Sequence, residues 1–254
     1  MSDTNMSQSI YQGTAALLGK DSLVKLSESH VAIVGLGGVG SWAVEVLART
    51  GVGRITLMDL DENCLSNINR QIQATMKNVG EPKVQSLKER IQLINPEIEI
   101  NPIQDFFDEK TKNDFFKLQP TLVLDCIDSL SAKCLLLKEC YERKIDIITC
   151  GGMAGKRMVD KIVCEDLNQT INDPLLYRVR KSLRKENIFY PRRNKKFRIP
   201  CIYSKEVPSI KEPTNQKNSS QCDSYQGSLM SMVATVGIHM GHMAINQLIA
   251  NINE

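Results

Sequence analysis

Val31-Ala32-Ile33-Val34 followed by Gly35-Leu36-Gly37-Gly38-Val39-Gly40 is the stretch that decides the fold. Four small or β-branched apolar residues read as a strand buried on both faces. The glycines behind them permit a tight turn and close backbone approach to a ligand. A helix opening at Val39 carries Trp42, Val46 and Leu47 inward, and its free N-terminal amides offer positive potential to an anion. In that order these parts hold phosphate; a tight structural turn without a ligand is the alternative.

Outward from this unit the pattern repeats. Arg54 to Met58 reads as a second strand, and Lys83 to Ile94 as a helix ended by Asn95-Pro96. Ile98 to Ile100 is a third strand and Thr121 to Cys126 a fourth. Ser131 to Lys144 is a helix and Ile145 to Thr149 a fifth strand. Strands alternating with helices predict an α/β fold, a doubly wound, mainly parallel sheet of Rossmann type with helices on both faces and a C-terminal extension. Ligands in such sheets sit at the carboxyl ends of the strands, so Gly35, Asp59, Asp125 to Asp128 and Gly151 should converge. The 254 residues suit a single domain, 1–254. Within it, 30–152 is the nucleotide-binding core, 153–226 a basic substrate-binding and crossover segment, and 227–254 a C-terminal helix. In the crossover segment Met158 to Cys164 reads as a further strand, and Ser209 to Ser224 as a mobile polar loop.

Composition narrows the class. Apolar residues make up 42% and charged residues 24%, an ordinary globular balance, and the net charge of +3 is too small to signal nucleic acid by itself. No basic region leads into an apolar run at the N-terminus and no long uninterrupted apolar segment follows, so neither a secretory signal nor a membrane span is expected. Eight cysteines occur without one Cys-x-x-Cys pair, which argues against a tetrathiolate zinc site and a disulfide scaffold. A reducing compartment and a cytoplasmic location are the expectation.

Asp59 stands 24 residues beyond Gly35, where a carboxylate accepts hydrogen bonds from ribose hydroxyls. A dinucleotide enzyme needs little more. An ATP enzyme also needs cations on the outer phosphates and a carboxylate for Mg2+. Arg70 and Lys83 supply the cations, and Asp128, past the fourth strand, supplies the carboxylate. Each alone is compatible with a solvated charge. Together, at separate strand ends of one sheet, they favour adenylation.

The motifs Gly35-x-Gly37-Gly38-x-Gly40-Ser41, Asp59-x-Asp61, Ser66-Asn67-x-x-Arg70-Gln71, Gly80-x-Pro82-Lys83, Ile94-Asn95-Pro96 and Asp125-x-x-Asp128 resemble the ubiquitin-activating-enzyme-like adenylyltransferases. The resemblance covers roughly residues 10 to 250. Gly13-Thr14 before Leu17-Leu18-Gly19, Asp166-Leu167 to Asp173-Pro174-Leu175, and Ser204-Lys205-Glu206 are similar to the tRNA threonylcarbamoyladenosine dehydratase branch. That resemblance implies an enzyme that uses ATP and Mg2+ to adenylate the carboxylate of N6-threonylcarbamoyladenosine in tRNA. Ring closure to the hydantoin then releases AMP. It assigns Gly35, Gly37, Gly38, Gly40, Asp59, Asp61 and Asn67 to nucleotide binding, Arg70 and Lys83 to phosphates, and Asp128 to the metal. A homodimer and a sulfur-transfer protein partner are further implications. Two other readings stay open: an adenylyltransferase for a ubiquitin-like sulfur carrier, and a non-catalytic nucleotide-binding scaffold.

Leu175 to Lys205 holds eleven Lys or Arg against the single acid Glu186. Arg178, Arg180, Lys181, Arg184, Lys185, Arg192, Arg193, Lys195, Lys196 and Arg198 are therefore candidates for tRNA phosphates, with Tyr190 and Phe197 to stack on bases. A solvated helix face is the alternative. The chain departs from the family at one point: the N-terminal arginine that reaches a partner subunit's site would fall near Ile10 or Ala16, both apolar, leaving Lys20 or Lys25 as substitutes. Cys201 and Cys222 lie where relatives that form thioesters keep a cysteine, yet intramolecular ring closure needs none. His239 and His242 read as helix-packing groups.

Overall fold

The computed structural model describes residues 10–186, 196–209 and 227–250. Its strands β1 (His30–Val34), β2 (Arg54–Met58), β3 (Glu99–Ile103), β4 (Leu122–Asp125), β5 (Asp146–Cys150), β6 (Ile162–Asp166) and β7 (Pro200–Ser204) form one sheet in the order β3-β2-β1-β4-β5-β7-β6. All neighbours run parallel except β6 and β7. The strand order turns back between β1 and β4, which opens a crevice at their carboxyl ends.

Around the sheet lie α1 (Gln12–Leu18), α2 (Lys20–Glu28), α3 (Gly40–Thr50), α4 (Lys83–Ile94), α5 (Lys112–Lys117), α6 (Leu130–Arg143), α7 (Pro174–Lys185) and α8 (Met230–Ala250). Successive residues of β1 serve opposite faces. Val31 and Ile33 join one core with Leu47 of α3, Leu87 of α4 and Met240 of α8. Ala32 and Val34 join the other with Phe115, Leu137 of α6 and Val179 of α7. Alternating sides of a fully buried strand explain why its run is apolar without a period of two.

Helix α8 lies directly on α3. A Cβ on Gly237 would stand 2.3 Å from the Val39 carbonyl, and one on Gly241 would stand 2.6 Å from Val46 Cβ. Gly38 meets Val233 in the same manner, at 3.0 Å. Small residues let the two helix backbones approach closely, so the C-terminal helix braces the one that follows the glycine turn.

The sheet departs from expectation in three places. β3 begins at Glu99 and extends to Ile103 rather than ending at Ile100; it is an edge strand, where Pro102 can sit without breaking a ladder on both sides. A 3-10 turn at Val159–Lys161 precedes β6, so that strand starts at Ile162 and not at Met158. β7 was not anticipated, because Pro200 opens it and a basic run precedes it; proline is tolerated as a first strand residue. Among the described residues no helix is long and apolar enough to cross a membrane.

Candidate active site

Three of the loop glycines are demanded by the protein itself. Gly35 has φ +91, and a Cβ there would lie 2.7 Å from the Cys126 carbonyl oxygen on the neighbouring strand's exit. One on Gly40 would lie 1.9 Å from the Gly35 carbonyl oxygen, and one on Gly38 would press on Val233. Gly37 differs: a Cβ there meets nothing closer than the Gln71 side-chain nitrogen at 4.0 Å. That position alone leaves space beside the turn. Ser41, in the first turn of α3, is fully buried, and its hydroxyl has no hydrogen-bond partner among the described residues. Open space beside a glycine and an orphaned hydroxyl at a helix N-terminus fit a phosphate group.

The acidic end of β2 closes on this turn. Asp59 Oδ2 accepts from the Leu36 amide at 2.6 Å and Oδ1 from the Asp61 amide at 2.9 Å. Lys83, the first residue of α4, is buried. Its Nζ lies 2.7 Å from Asp61 Oδ2 and 3.8 Å from Asp59 Oδ1, and its amide donates to the Asp61 carbonyl at 3.0 Å. Burial pushes the Asp59 carboxyl above its ordinary range, against the pull of Lys83 and the two backbone amides. One cation thus serves two carboxylates, a balance that an arriving polyphosphate would shift.

Asn67, buried in a 3-10 turn, accepts from the Cys64 amide at 3.1 Å. Arg70 donates to the Ser66 carbonyl at 2.5 Å and to Asn69 Oδ1 at 3.0 Å. Its own carbonyl accepts from the Trp42 indole at 3.0 Å, tying the arginine's backbone to α3. Gln73 donates to the Leu36 carbonyl at 3.3 Å, a second strap onto the glycine turn. The turn, Asp59, Asp61, Lys83 and the Asn67–Arg70 segment are therefore one connected construction.

Asp128 stands apart. It is exposed beyond β4 and forms no hydrogen bond or ion pair among the described residues. The turn that carries it adjoins the site through Cys126, whose amide donates to the Val34 carbonyl at 2.9 Å. Beneath that turn Asp125 and Lys133 form an ion pair at 2.9 Å with both side chains fully buried. Burial works to depress the Lys133 ammonium, but its neighbours, the Asp125 carboxylate foremost, together outweigh burial and raise its pKa. Lys133 was missed in the sequence reading, as was Thr149, which donates to Asp125 Oδ2 at 2.6 Å.

At the exit of β5, Lys156 and Asp173 form another buried pair at 2.8 Å. Asp173 also accepts from the Gly152 amide at 3.0 Å and caps α7 through the Leu176 amide at 3.0 Å. Lys156 donates further to the Ser204 carbonyl at 3.2 Å, and Glu206 accepts from the Arg157 and Met158 amides at 2.8 and 2.7 Å. The Asp173-Pro174 and Ser204-Lys205-Glu206 motifs thus brace one junction.

Helix α7 presents Tyr177, Arg178, Lys181, Arg184 and Lys185 outward. Arg180 turns inward to Thr170, and burial lowers its pKa, so it leaves the set of exposed phosphate candidates. Arg184 bonds Asn168 and lies over the Phe197 ring at 5.8 Å. Phe197 is buried in the core and is not a stacking platform, which corrects its assignment. Tyr177, 60% exposed among these cations, is the aromatic group that the sequence reading overlooked. Lys196 and Arg198 are exposed. Tyr190, Arg192, Arg193, Lys195 and Cys222 lie outside the described residues. Cys201 is no loop nucleophile: it is buried in β7, and burial pushes its thiol pKa up.

The model of the ThiF family matches residues 11–253. The tRNA threonylcarbamoyladenosine dehydratase of Haemophilus influenzae is 36% identical over 242 residues, which are 94% of this chain and 93% of the relative. The crystal structure of Escherichia coli tRNA N6-threonylcarbamoyladenosine dehydratase in complex with ATP superposes with a TM-score of 0.88 at 33% identity, covering 97% of this chain and 96% of the other. The molybdopterin-synthase adenylyltransferase of Salmonella typhimurium is 38% identical over 124 residues, 49% of each chain.

Proposed function

The chain belongs to the ThiF family, and from that premise we propose that it is an ATP-dependent dehydratase acting on N6-threonylcarbamoyladenosine in tRNA. The observation that carries the reading is the buried Lys83 ammonium between Asp59 and Asp61, joined through Leu36 to a glycine turn with open space at Gly37. A dinucleotide fold needs the glycine turn and one acid; a buried cation beside them suits a polyphosphate. Likeness over nearly the whole length to dehydratases, and over only half to a molybdopterin-synthase adenylyltransferase, favours the tRNA substrate.

The chemistry asks for positioning and charge neutralisation. The substrate carboxylate attacks the α-phosphorus of ATP, pyrophosphate leaves, and an acyl adenylate forms. The carbamoyl nitrogen then closes the hydantoin ring and expels AMP. The amides at the start of α3 and Arg70 hold phosphates, Lys83 steadies the leaving pyrophosphate, and Asp59 accepts from the ribose. Asp61 keeps Lys83 in place, and Asn67 fixes the segment that presents Arg70. Asp128, a hard oxygen donor with no partner among the described residues, fits Mg2+, which when bound would neutralise phosphate charge.

The exposed face of α7 is the tRNA-binding surface in this reading. Lys138 on α6 meets Glu186 on α7, and Cys134 meets Ser182. The two contacts share one offset, so the helices run parallel and both start at the carboxyl edge of the sheet. The first cations of α7 therefore stand nearest that edge and the later ones recede from it, with 30–152 as the nucleotide core and 153–226 as the RNA segment. A cytoplasmic homodimer, served by a sulfur-transfer partner, completes the proposal.

Mass analysis of tRNA nucleosides after incubation with the protein and ATP tests it. Loss of one water from the threonylcarbamoyl base is expected. Pyrophosphate release that needs a small carrier protein and no tRNA would overturn it.

A further inference from the structure

We propose that Lys133 is a positioning residue for Asp128, acting through a buried ionic clamp on the turn that carries it. The inference rests on the reading of Asp128 as the Mg2+ carboxylate. Lys133 Nζ donates to the Ile127 carbonyl at 2.9 Å and pairs with Asp125 Oδ2 at 2.9 Å. The Ile127 amide donates to Asp125 Oδ1 at 3.1 Å. Both polar groups of Ile127 are thereby fixed to one ion pair, and the next residue is Asp128. Thr149 on β5 holds Asp125 from the far side, and the Cys126 amide is tied to β1. The turn is anchored to three strands and to α6.

Stability alone does not explain such a pair. Replacing a buried ion pair with apolar groups is often neutral or stabilising. An apolar pair cannot supply directed bonds to the two successive peptide groups that flank Ile127. That matters here because Asp128 has no side-chain partner of its own among the described residues. Only the backbone beneath it fixes where its side chain is rooted, and a displacement of about 1 Å in a reacting group can cost a hundredfold in rate. The clamp acts as an outer-shell support of the kind that orients metal ligands.

The test compares the unaltered protein, Asp128→Asn, and the double variant Asp125→Asn with Lys133→Met, which removes both charges and leaves neither buried alone. ATP affinity is measured by calorimetry with and without Mg2+. The double variant should bind ATP without Mg2+ within about twofold of the unaltered protein, and lose about tenfold of the Mg2+-dependent gain. Equal losses under both conditions would mark the pair as merely structural and overturn the inference. So would an undiminished gain in the double variant where Asp128→Asn abolishes it. An undiminished gain in Asp128→Asn would overturn the metal reading underneath, and the inference with it. Amide exchange on the unaltered protein needs no variant: the Ile127 amide should exchange as slowly as those of β4, and rapid exchange there would also sink the clamp.

Discussion

Lys83 Nζ lies 2.7 Å from Asp61 Oδ2, a buried cation held by a carboxylate that is 62% exposed. The pair is asymmetric. Solvent can reclaim Asp61, whereas Lys83 needs an anion wherever it turns, and so is primed for transfer to a phosphate. Lys83→Met should lower ATP-dependent dehydration of tRNA by about 10²–10³-fold. It also removes the nearest cation from Asp59, so the melting temperature should fall by several degrees. Steady-state kinetics with a thermal melt checks both; unchanged kinetics would remove Lys83 from the phosphate site.

The raised pKa of Asp59 makes a pH prediction. A carboxyl whose folded pKa exceeds its unfolded value favours folding while protonated, below about pH 4. That contribution is lost as pH rises through the folded pKa, and the ionised group then works against the ligand-free fold. Asp59→Asn has no such loss. Its stability relative to the unaltered chain should therefore rise between acidic and neutral pH, measured by urea unfolding without ATP. Parallel pH profiles for the two proteins would contradict the account.

The glycines separate fold from ligand. Gly35→Ala meets a carbonyl at 2.7 Å in a left-handed conformation and should destabilise by about 1–3 kcal/mol or more. Gly37→Ala has room within the protein. It should leave the melting temperature within about 2 °C while weakening ATP binding roughly tenfold. Unaltered ATP affinity in Gly37→Ala would place the phosphates elsewhere.

Cations on α7 should divide by the face they occupy. Arg178→Ala and Lys181→Ala should each weaken tRNA binding without regard to sequence, and lower the salt-dependence slope by about one. Arg180→Ala should instead lower stability, because that side chain bonds Thr170 within the fold. Filter binding across a salt series, run beside thermal melts, distinguishes the two behaviours.

Lys156→Met leaves Asp173 charged and buried beneath α7 and should cost about 3–5 kcal/mol. Urea unfolding reads this directly, and a cost under about 1 kcal/mol would mean that water reaches the carboxylate.

What could be read from the sequence was local. The Val31-to-Gly40 unit needs only adjacent residues, and Asp59 and Lys83 follow at spacings that a strand and a helix impose. Lys133 is illegible because a lysine within Ser131-Ala132-Lys133-Cys134 reads as a surface charge; only its partner at the end of β4 reveals it as a core residue. The Lys156–Asp173 pair was hidden for the same reason, since sequence distance says nothing of burial. Arg180 was within reach: Leu176, Val179 and Leu183 define the inner face of α7, and Arg180 borders it. Phe197 was misjudged because its basic neighbours outweighed its own apolarity, whereas the fold gave it a place under Arg184.

The bracing of α3 by α8 has a consequence for how the protein is made. The helix behind the phosphate turn lies within the first 50 residues, and its support, through Val233, Gly237 and Gly241, lies beyond residue 230. At roughly 5–20 residues per second of synthesis, about ten to forty seconds separate their emergence. The side chains proposed to bind ATP emerge long before the surface that holds their loop in shape. The loop is thus braced only once α8 has emerged, and truncation before Met230 should leave it unsupported.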